Sequence, residues 1–151
     1  MEQLEQRGLI PVIQNEASNG KPILGICLGM QLLGRKSEEG KREGLGLIPF
    51  DNVRFDFSQV DETLRKQLKI PHTEFEQNNP LLQDIKGTQR YYFVHSYHAV
   101  CDTKENVLMT CDYGYTFAAA VCKGNIYGVQ FHPEKSHDFG MRIFENFVGR
   151  C

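Results

Sequence analysis

The segment ILGICLGMQLL, residues 23–33, constrains the fold of this chain more than any other segment. Its first part, ILGI, is wholly apolar, which is typical of a short strand buried in a parallel sheet. The following LGMQLLG favours a short helix that ends near Gly34. A strand, a sharp turn and a helix in immediate succession predict an α/β fold with Cys27 at the turn.

Cys27 stands between Gly25 and Gly29, in the pattern of a nucleophile elbow with cysteine in place of serine. Glycines on both sides let strand and helix approach without clashes from a Cβ atom. The turn places the sulfur at the carboxyl edge of the sheet, where open α/β sheets bind ligands. The positive end of the helix favours a thiolate, and the N–H of Leu28 is available to an oxyanion. A buried structural cysteine is the alternative interpretation of this pattern.

A catalytic thiolate needs a base, and the base needs a group that orients it. Among five histidines, His132 is the candidate base, because it follows the strand predicted at IYGVQF and precedes Pro133. Glu134, two residues further on, projects toward the same face if the segment is extended. It would accept a hydrogen bond from one imidazole nitrogen and leave the other facing the sulfur. A polar exit from the strand is the alternative interpretation of this HPE motif.

The remaining patterns predict the other elements. A helix is predicted over residues 2–17, weakened by Gly8 and Pro11, and is followed by a turn at SNGKP. Residues 37–44 form a charged loop, and GLGLIPFDNVRFDF contains one or two strands. YYFVHSYHAV, residues 91–100, predicts a strand, and FAAAVCKGNIYGVQFHPE predicts a hairpin that bends at residues 123–125. The last element is a helix over residues 138–148, whose predicted apolar face consists of Met141, Ile143, Phe144, Phe147 and Val148.

Composition narrows the possible classes of function. The 151 residues suffice for one domain with a single core, and a formal net charge of -2 does not indicate a nucleic acid or an anionic membrane as partner. No apolar run reaches the roughly 18 residues that span a bilayer, and the start MEQLEQRGL is unlike a signal peptide. Five cysteines without a CxxC or zinc-ligand spacing favour a reduced, cytoplasmic compartment and indicate no metal site.

Three motifs, GICLGMQLL, YFVHSY and QFHPEKS, follow one another in the order and at the distances found in the class I (triad) glutamine amidotransferases. The chain resembles this family over nearly its whole length. Within it, FHPEKS, FVHSY and GLGLIPF are similar to the HisH-type subunits, the glutaminase half of imidazole glycerol phosphate synthase. The resemblance implies an open, mostly parallel, flavodoxin-like sheet flanked by helices, in a single domain of residues 1–151.

The resemblance also implies an activity, which is hydrolysis of L-glutamine to glutamate and ammonia without a cofactor or metal. A synthase partner, a HisF-type cyclase barrel, would receive the ammonia in the cytoplasm. Cys27 would attack the glutamine carboxamide, and His132 would take the thiol proton and return it to the departing ammonia. Glu134 would hold the imidazole.

Further site residues are carried over from the family in the same way. The N–H of Leu28 would form half of an oxyanion hole, and Gln31, one helical turn past Cys27, would contact the substrate. Glu39 would bind the α-amino group of glutamine. The remaining assignments are substrate contacts for His95, Ser96 and Tyr97, and surface or packing roles for His72, His98 and His137.

Two departures from the family pattern leave alternatives open. The family fold begins before this sequence does, with strands and a glycine-rich turn that supplies the second oxyanion donor. We therefore expect a domain incomplete at its N-terminus, with little glutaminase activity by itself and an exposed sheet edge. In KIPHTEFEQ, residues 73–76 replace a Met-Gly-aromatic-Asn stretch of HisH-type chains. The alternatives are a glutaminase component of a cell-surface sugar amidotransferase, a catalytically impaired binding module, and a peptidase-like cysteine hydrolase.

Overall fold

The computed structural model describes residues 1–58, 79–87 and 89–151. Seven strands in these residues form one sheet: β1 (Ile23–Ile26), β2 (Lys36–Ser37), β3 (Phe50–Arg54), β4 (Tyr97–Cys101), β5 (Val107–Tyr113), β6 (Tyr115–Lys123) and β7 (Ile126–Val129). The helices are α1 (Glu2–Gln6), α2 (Leu9–Ser18), α3 (Leu28–Leu33) and α4 (His137–Arg150), with 3₁₀ turns at Pro80–Leu82, Lys104–Asn106 and Pro133–Lys135. The strand order is β1-β7-β6-β4-β3-β2, and β5 pairs with β6.

The predicted α/β class is confirmed, but the described part of the sheet is mixed, and the expectation of a mostly parallel sheet is wrong there. The pairs β1–β7 and β2–β3 are parallel, whereas β3–β4, β4–β6, β5–β6 and β6–β7 are antiparallel. Short connections explain two of the antiparallel pairs, β5–β6 and β6–β7. Gly114 joins β5 to β6 and Gly124 with Asn125 joins β6 to β7, both glycines having positive φ. Connections of this length join only antiparallel strands, so the predicted hairpin is confirmed.

The single helix predicted over residues 2–17 is two helices. Gly8, with φ +63°, adopts a left-handed conformation directly before α2 and separates it from α1. Pro11 does not interrupt α2, because it lies in the first turn, where the backbone N–H groups have no partner within the helix.

The strand predicted over residues 91–100 begins only at Tyr97. Before it, Tyr92 forms an isolated antiparallel bridge with His132. The N–H of Tyr92 donates to the hydroxyl of Ser136, and its carbonyl accepts from the N–H of His132. The backbone groups of Tyr92 therefore bind the segment that follows β7 instead of a neighbouring strand.

Helix α4 is confirmed, but two residues of its predicted apolar face are on the outside. Ile143 is fully buried, whereas Met141 is 52% and Val148 84% exposed. The buried face follows the spacing of Gly140, Ile143 and Asn146. A Cβ atom on Gly140 would lie 1.8 Å from the carbonyl oxygen of Pro133, so the helix packs directly on that turn.

Asn146 explains why hydrophobic periodicity misses part of this face. Its side chain is 1% exposed and donates to the carbonyl oxygens of Leu81 and Gln83. A polar residue is buried here because it satisfies the backbone groups of the Pro80–Leu82 turn.

The core within the described residues consists of two apolar clusters. One contains Ile143 of α4 with Val129 and Phe131, and the other contains Ala17 of α2 with Met30 and Phe50. Both clusters include residues of the pair β1–β7, and α3 contributes Met30 and Leu33 to the second. Within the described ranges, no helix is long and apolar enough to cross a membrane.

Candidate active site

Cys27 lies on a strained turn between β1 and α3. Its backbone has φ +50° and ψ −109°, a conformation that L-amino acids rarely adopt, and its N–H donates to the carbonyl of Val129 at 2.8 Å. A Cβ atom on Gly25 would lie 2.7 Å from the backbone of Gly29, so the steric role predicted for Gly25 is confirmed. The same role is wrong for Gly29, where an added Cβ would meet nothing within 4 Å.

One parallel strand pair brings the predicted nucleophile and base to the same edge of the sheet. In this pair Ile26 of β1 stands opposite Val129 of β7. Cys27 follows the end of β1 directly, and His132 follows the end of β7 by three residues. The carboxyl ends of parallel strands lie at the same edge of the sheet. The fold thus brings Cys27 and His132 to one edge although they are 105 positions apart in the sequence.

His132 and Glu134 form a hydrogen bond of 2.6 Å between the imidazole Nδ1 and the carboxylate Oε1. An ionised carboxylate only accepts, so Nδ1 carries the proton and Nε2 of a neutral imidazole is left as a proton acceptor. The backbone is fixed as well, because the N–H of His132 donates to Tyr92 and its carbonyl accepts from the hydroxyl of Ser136. The imidazole is thereby oriented by both its backbone and its side-chain partner.

The Glu134 carboxylate is ionised in this arrangement. Burial acts to raise its pKa, but the hydrogen bond from His132, its own backbone N–H and the charges of His132 and Lys135 together hold the pKa below its ordinary value. A carboxylate that stays charged can keep the imidazole in one tautomer.

The thiol of Cys27 differs from the expectation of a stabilised thiolate. Burial raises its pKa above the ordinary value, while the N–H of Leu28 and the side chain of Gln130 act in the opposite direction. Helix α3 has six residues, so its dipole is small, and desolvation of the sulfur outweighs it. A nucleophilic role for Cys27 would therefore require a base that removes the thiol proton.

A pocket of about 400 Å³ opens beside α3, and we call it the α3 pocket. Its lining includes Leu28, Gln31 and Glu39, three residues that the sequence assigns to the oxyanion hole and the substrate. Lys36 and Arg42 also line it, and they are paired with Asp51 and Glu5. Leu28, which lines the pocket, directly follows Cys27 in the chain.

Gln31 links the α3 pocket to the segment predicted to hold the substrate. It is 9% exposed, and its Nε2 donates to the carbonyl of Tyr97 at 3.4 Å. The same carbonyl lies 2.7 Å from Nδ1 of His95, and the carbonyl of Ser96 accepts from the N–H of Phe55. The structure thus connects this segment to Gln31 through its backbone.

His98 and His137, for which the sequence predicts packing or surface roles, are both within the described residues. His98 is buried and contacts the hydroxyl of Tyr115 at 3.0 Å, and burial lowers its pKa, as expected for a packing residue. His137 begins α4 on the surface. His72 and the residues 73–76 lie outside the described residues. Across the part of the chain that the structure describes, no group of three or more His, Cys, Asp or Glu is arranged to hold a metal ion.

Gln130 and Ser136 belong to the motif QFHPEKS and contact the site, although the sequence alone predicts no role for either residue. Gln130 is fully buried and its Nε2 lies 3.9 Å from the sulfur of Cys27. Ser136 is 3% exposed and binds the backbones of Tyr92 and His132. The sequence offers one signal for Gln130, which is its position between the apolar residues Val129 and Phe131. A polar side chain in such a place is buried, and a buried amide needs hydrogen-bond partners.

The family model for "Glutamine amidotransferase class-I" matches residues 3–151. The imidazole glycerol phosphate synthase subunit HisH of Sulfurimonas denitrificans is 50% identical over 153 residues, covering 98% of this chain and 72% of the relative. Subunit HisH 2 of Pseudomonas aeruginosa is 44% identical over 154 residues, with 98% and 73% covered.

Solved structures share the fold at low sequence identity. A crystal structure of a glutamine amidotransferase matches with a TM-score of 0.67 at 18% identity, covering 98% of this chain and 72% of the other. The structure of PurLQS from Thermotoga maritima gives 0.66 at 21% identity, covering 93% of this chain and 66% of the other. A match at these identities concerns the fold alone.

Proposed function

The chain belongs to the class I glutamine amidotransferase family, and on this basis we propose that it hydrolyses L-glutamine to L-glutamate and ammonia through Cys27, His132 and Glu134. The observation that carries the proposal is the 2.6 Å pair of His132 and Glu134, held at the sheet edge where Cys27 leaves the neighbouring parallel strand.

The first half of the reaction forms a thioester. Nε2 of His132 takes the proton of the Cys27 thiol, and the sulfur attacks the carboxamide carbon of glutamine. Negative charge develops on the carbonyl oxygen, and the N–H of Leu28, at the start of α3, is a donor to it. The C–N bond then breaks, and His132 returns the proton to the leaving nitrogen, which departs as ammonia.

The second half hydrolyses the thioester. His132 removes a proton from water, whose oxygen attacks the acyl carbon, and the C–S bond breaks to give glutamate and the Cys27 thiol. The sulfur leaves as a thiolate, and His132 protonates it again. Glu134 keeps the proton on Nδ1 throughout and stabilises the imidazolium between the two transfers.

The α3 pocket is the proposed binding site for the amino-acid end of glutamine. Glu39 supplies a carboxylate for the α-ammonium group, and Gln31 supplies a carboxamide close to the reacting centre. Tyr97, whose carbonyl accepts from Gln31 and lies near Nδ1 of His95, and the adjacent Ser96 are the further proposed contacts to the substrate.

The proposed acceptor of the ammonia is a cyclase subunit of the HisF type, in a cytoplasmic imidazole glycerol phosphate synthase. Two observations support this partner: the relatives of 50% and 44% identity carry the name of that synthase's subunit HisH, and each shares nearly the whole of this chain. All five cysteines are free, which agrees with a reducing compartment.

The test is ammonia release from glutamine by the chain together with the cyclase subunit of its own organism. Cys27→Ala should abolish release, and Cys122→Ala, a change at a cysteine of similar burial, should leave the rate within about twofold. A glutamine-like electrophile should label Cys27 in preference to the other four cysteines. Turnover by Cys27→Ala, or labelling spread evenly over all five cysteines, would overturn the proposal.

A further inference from the structure

Gln130 lies between the nucleophile and the substrate pocket. It follows β7 directly, its side chain is fully buried, and its backbone N–H donates to the carbonyl of Ala119 in β6. Its Nε2 is 3.9 Å from the sulfur of Cys27, and its Oε1 accepts from Nε2 of Gln31 at 3.3 Å. One carboxamide thus contacts two residues of the proposed site.

The orientation of this carboxamide follows from the hydrogen-bond network. The carbonyl of Tyr97 can only accept, so the atom of Gln31 that faces it must be the nitrogen. The same nitrogen contacts Gln130, so the atom of Gln130 that faces Gln31 must be the oxygen. The amino group of Gln130 is therefore the end that points to the sulfur, and reversing either amide would place two acceptors or two donors against each other.

We infer that Gln130 is a positioning residue, which donates a hydrogen bond to the Cys27 sulfur and couples that sulfur to Gln31 in the α3 pocket. The inference rests on the proposed function, since it concerns the same nucleophile. Two hydrogen bonds point toward the sulfur, one from Gln31 to Gln130 and one from Gln130 to Cys27, while the Tyr97 carbonyl accepts from the same nitrogen of Gln31 and holds it in place. The two bonds lead to the position where negative charge develops when His132 removes the thiol proton, and consecutive hydrogen bonds of this kind strengthen one another.

Electrostatics at the sulfur agrees with this geometry. Burial raises the pKa of the Cys27 thiol, and the side chain of Gln130 is one of the groups that lower it. The charged groups that also act on the sulfur are Glu134, which raises its pKa, and Lys135, which lowers it. Both belong, with His132, to the segment after β7 and remain in every variant proposed below.

The experiment measures the thiol directly and does not depend on glutamine. The full chain is alkylated with iodoacetamide over a range of pH, and modification of the Cys27 peptide is followed by mass spectrometry. Gln130→Met keeps the length of the side chain and removes its donor, so the midpoint of Cys27 alkylation should rise by about one pH unit. Gln130→Glu should raise the midpoint further, because an ionised carboxylate repels the thiolate.

The control is Gln83→Met, the same change on an exposed side chain, and its midpoint should match that of the wild type. If Gln130→Met does not fold, Gln130→Asn provides the same test, because it keeps an amide but is one methylene too short for both contacts. Unchanged midpoints in the folded variants, with only the unfolding temperature lowered, would mean that Gln130 packs the core and would overturn the inference.

A kinetic measurement separates this inference from the proposed function. With the cyclase subunit present, Gln130→Met should lower kcat for ammonia release about tenfold and leave KM within about twofold, because the contact is to the reacting sulfur. A shifted alkylation midpoint in a chain that releases no ammonia would uphold the inference and refute the glutaminase. Normal ammonia release with an unshifted midpoint would uphold the glutaminase and refute the inference.

Discussion

Cys27 holds a backbone conformation, φ +50° and ψ −109°, that glycine adopts more readily than any other residue. Such a conformation costs about 1–3 kcal/mol in a residue with a Cβ atom, whereas exchanging alanine for glycine elsewhere usually costs about 0.5–1 kcal/mol. We therefore predict that Cys27→Gly is more stable than Cys27→Ala, by about 1 kcal/mol in urea unfolding. An alanine variant as stable as the glycine variant would show that the turn is unstrained.

Glu134 gives a second prediction at this scale. Glu134→Gln should lower kcat for ammonia release by at least about tenfold, because an amide nitrogen facing His132 favours the wrong imidazole tautomer. The matched control is Glu145→Gln, which removes an exposed carboxylate paired with Arg142 and should leave the rate unchanged. Equal rates for the two variants, measured by release of ammonia, would contradict the role of Glu134.

Single residues differ in how far the sequence predicts them. Cys27 and His132 could be singled out because glycines and a proline mark the turns on which they lie. Gln130 shows only one local signal, that of a polar residue between apolar neighbours, because its role depends on the carbonyl of Tyr97 and the amide of Gln31, which are distant in sequence. A local signal of this kind indicates a buried amide but does not identify its hydrogen-bond partners.

At the scale of elements, β1 and α3 pack so closely that one glycine is required. A Cβ on Gly25 would lie 2.7 Å from the backbone of Gly29 and Met30, whereas a Cβ on Gly29 would meet nothing within 4 Å. Gly25→Ala should therefore destabilise the chain by about 1–3 kcal/mol, because backbone atoms have to move apart. Gly29→Ala, in a helix, should stabilise it by about 0.5–1 kcal/mol. Urea unfolding measures both, and effects of the same sign would contradict this packing.

Elements with local signals were predicted well, and elements defined by distant partners were not. The strand at residues 23–26, the helix after it and the hairpin at residues 123–125 depend on neighbouring residues, and all three are confirmed. The strand predicted from residue 91 begins at Tyr97, because Tyr92 binds His132 and Ser136 instead. Aromatic and β-branched residues indicate extended backbone, but they do not indicate which segment it pairs with.

At the scale of the whole molecule, the sheet combines parallel and antiparallel strand pairs, which lie differently with respect to the proposed site. The parallel pair β1–β7 ends at the proposed site, and the antiparallel strands β3 to β6 extend the sheet away from it. The resemblance to a family predicted a mostly parallel sheet, whereas four of the six pairings in the described residues are antiparallel, and short glycine turns account for two of these, β5–β6 and β6–β7. The fold class was therefore predictable from motifs, and connection length predicts strand direction only where the turn is short.

The stability of the whole chain should fall in alkaline solution, and Cys101 in β4 gives this prediction a defined range. Burial, and then the charge of Asp102, raises the pKa of the Cys101 thiol from 9.0 to about 11. Between these values the unfolded chain releases a proton that the folded chain retains, so the free energy of unfolding decreases as the pH rises. The stabilisation is fully present below about pH 9 and is lost as the pH passes through about 11.

Cys101→Ala should therefore lose less stability between pH 8 and pH 11 than the wild type, as measured by urea unfolding at each pH. Val100→Ala, at the adjacent exposed position, removes no titrating group and should lose as much stability as the wild type. Parallel pH dependences for Cys101→Ala and the wild type would show that this thiol titrates alike in the folded and unfolded chains.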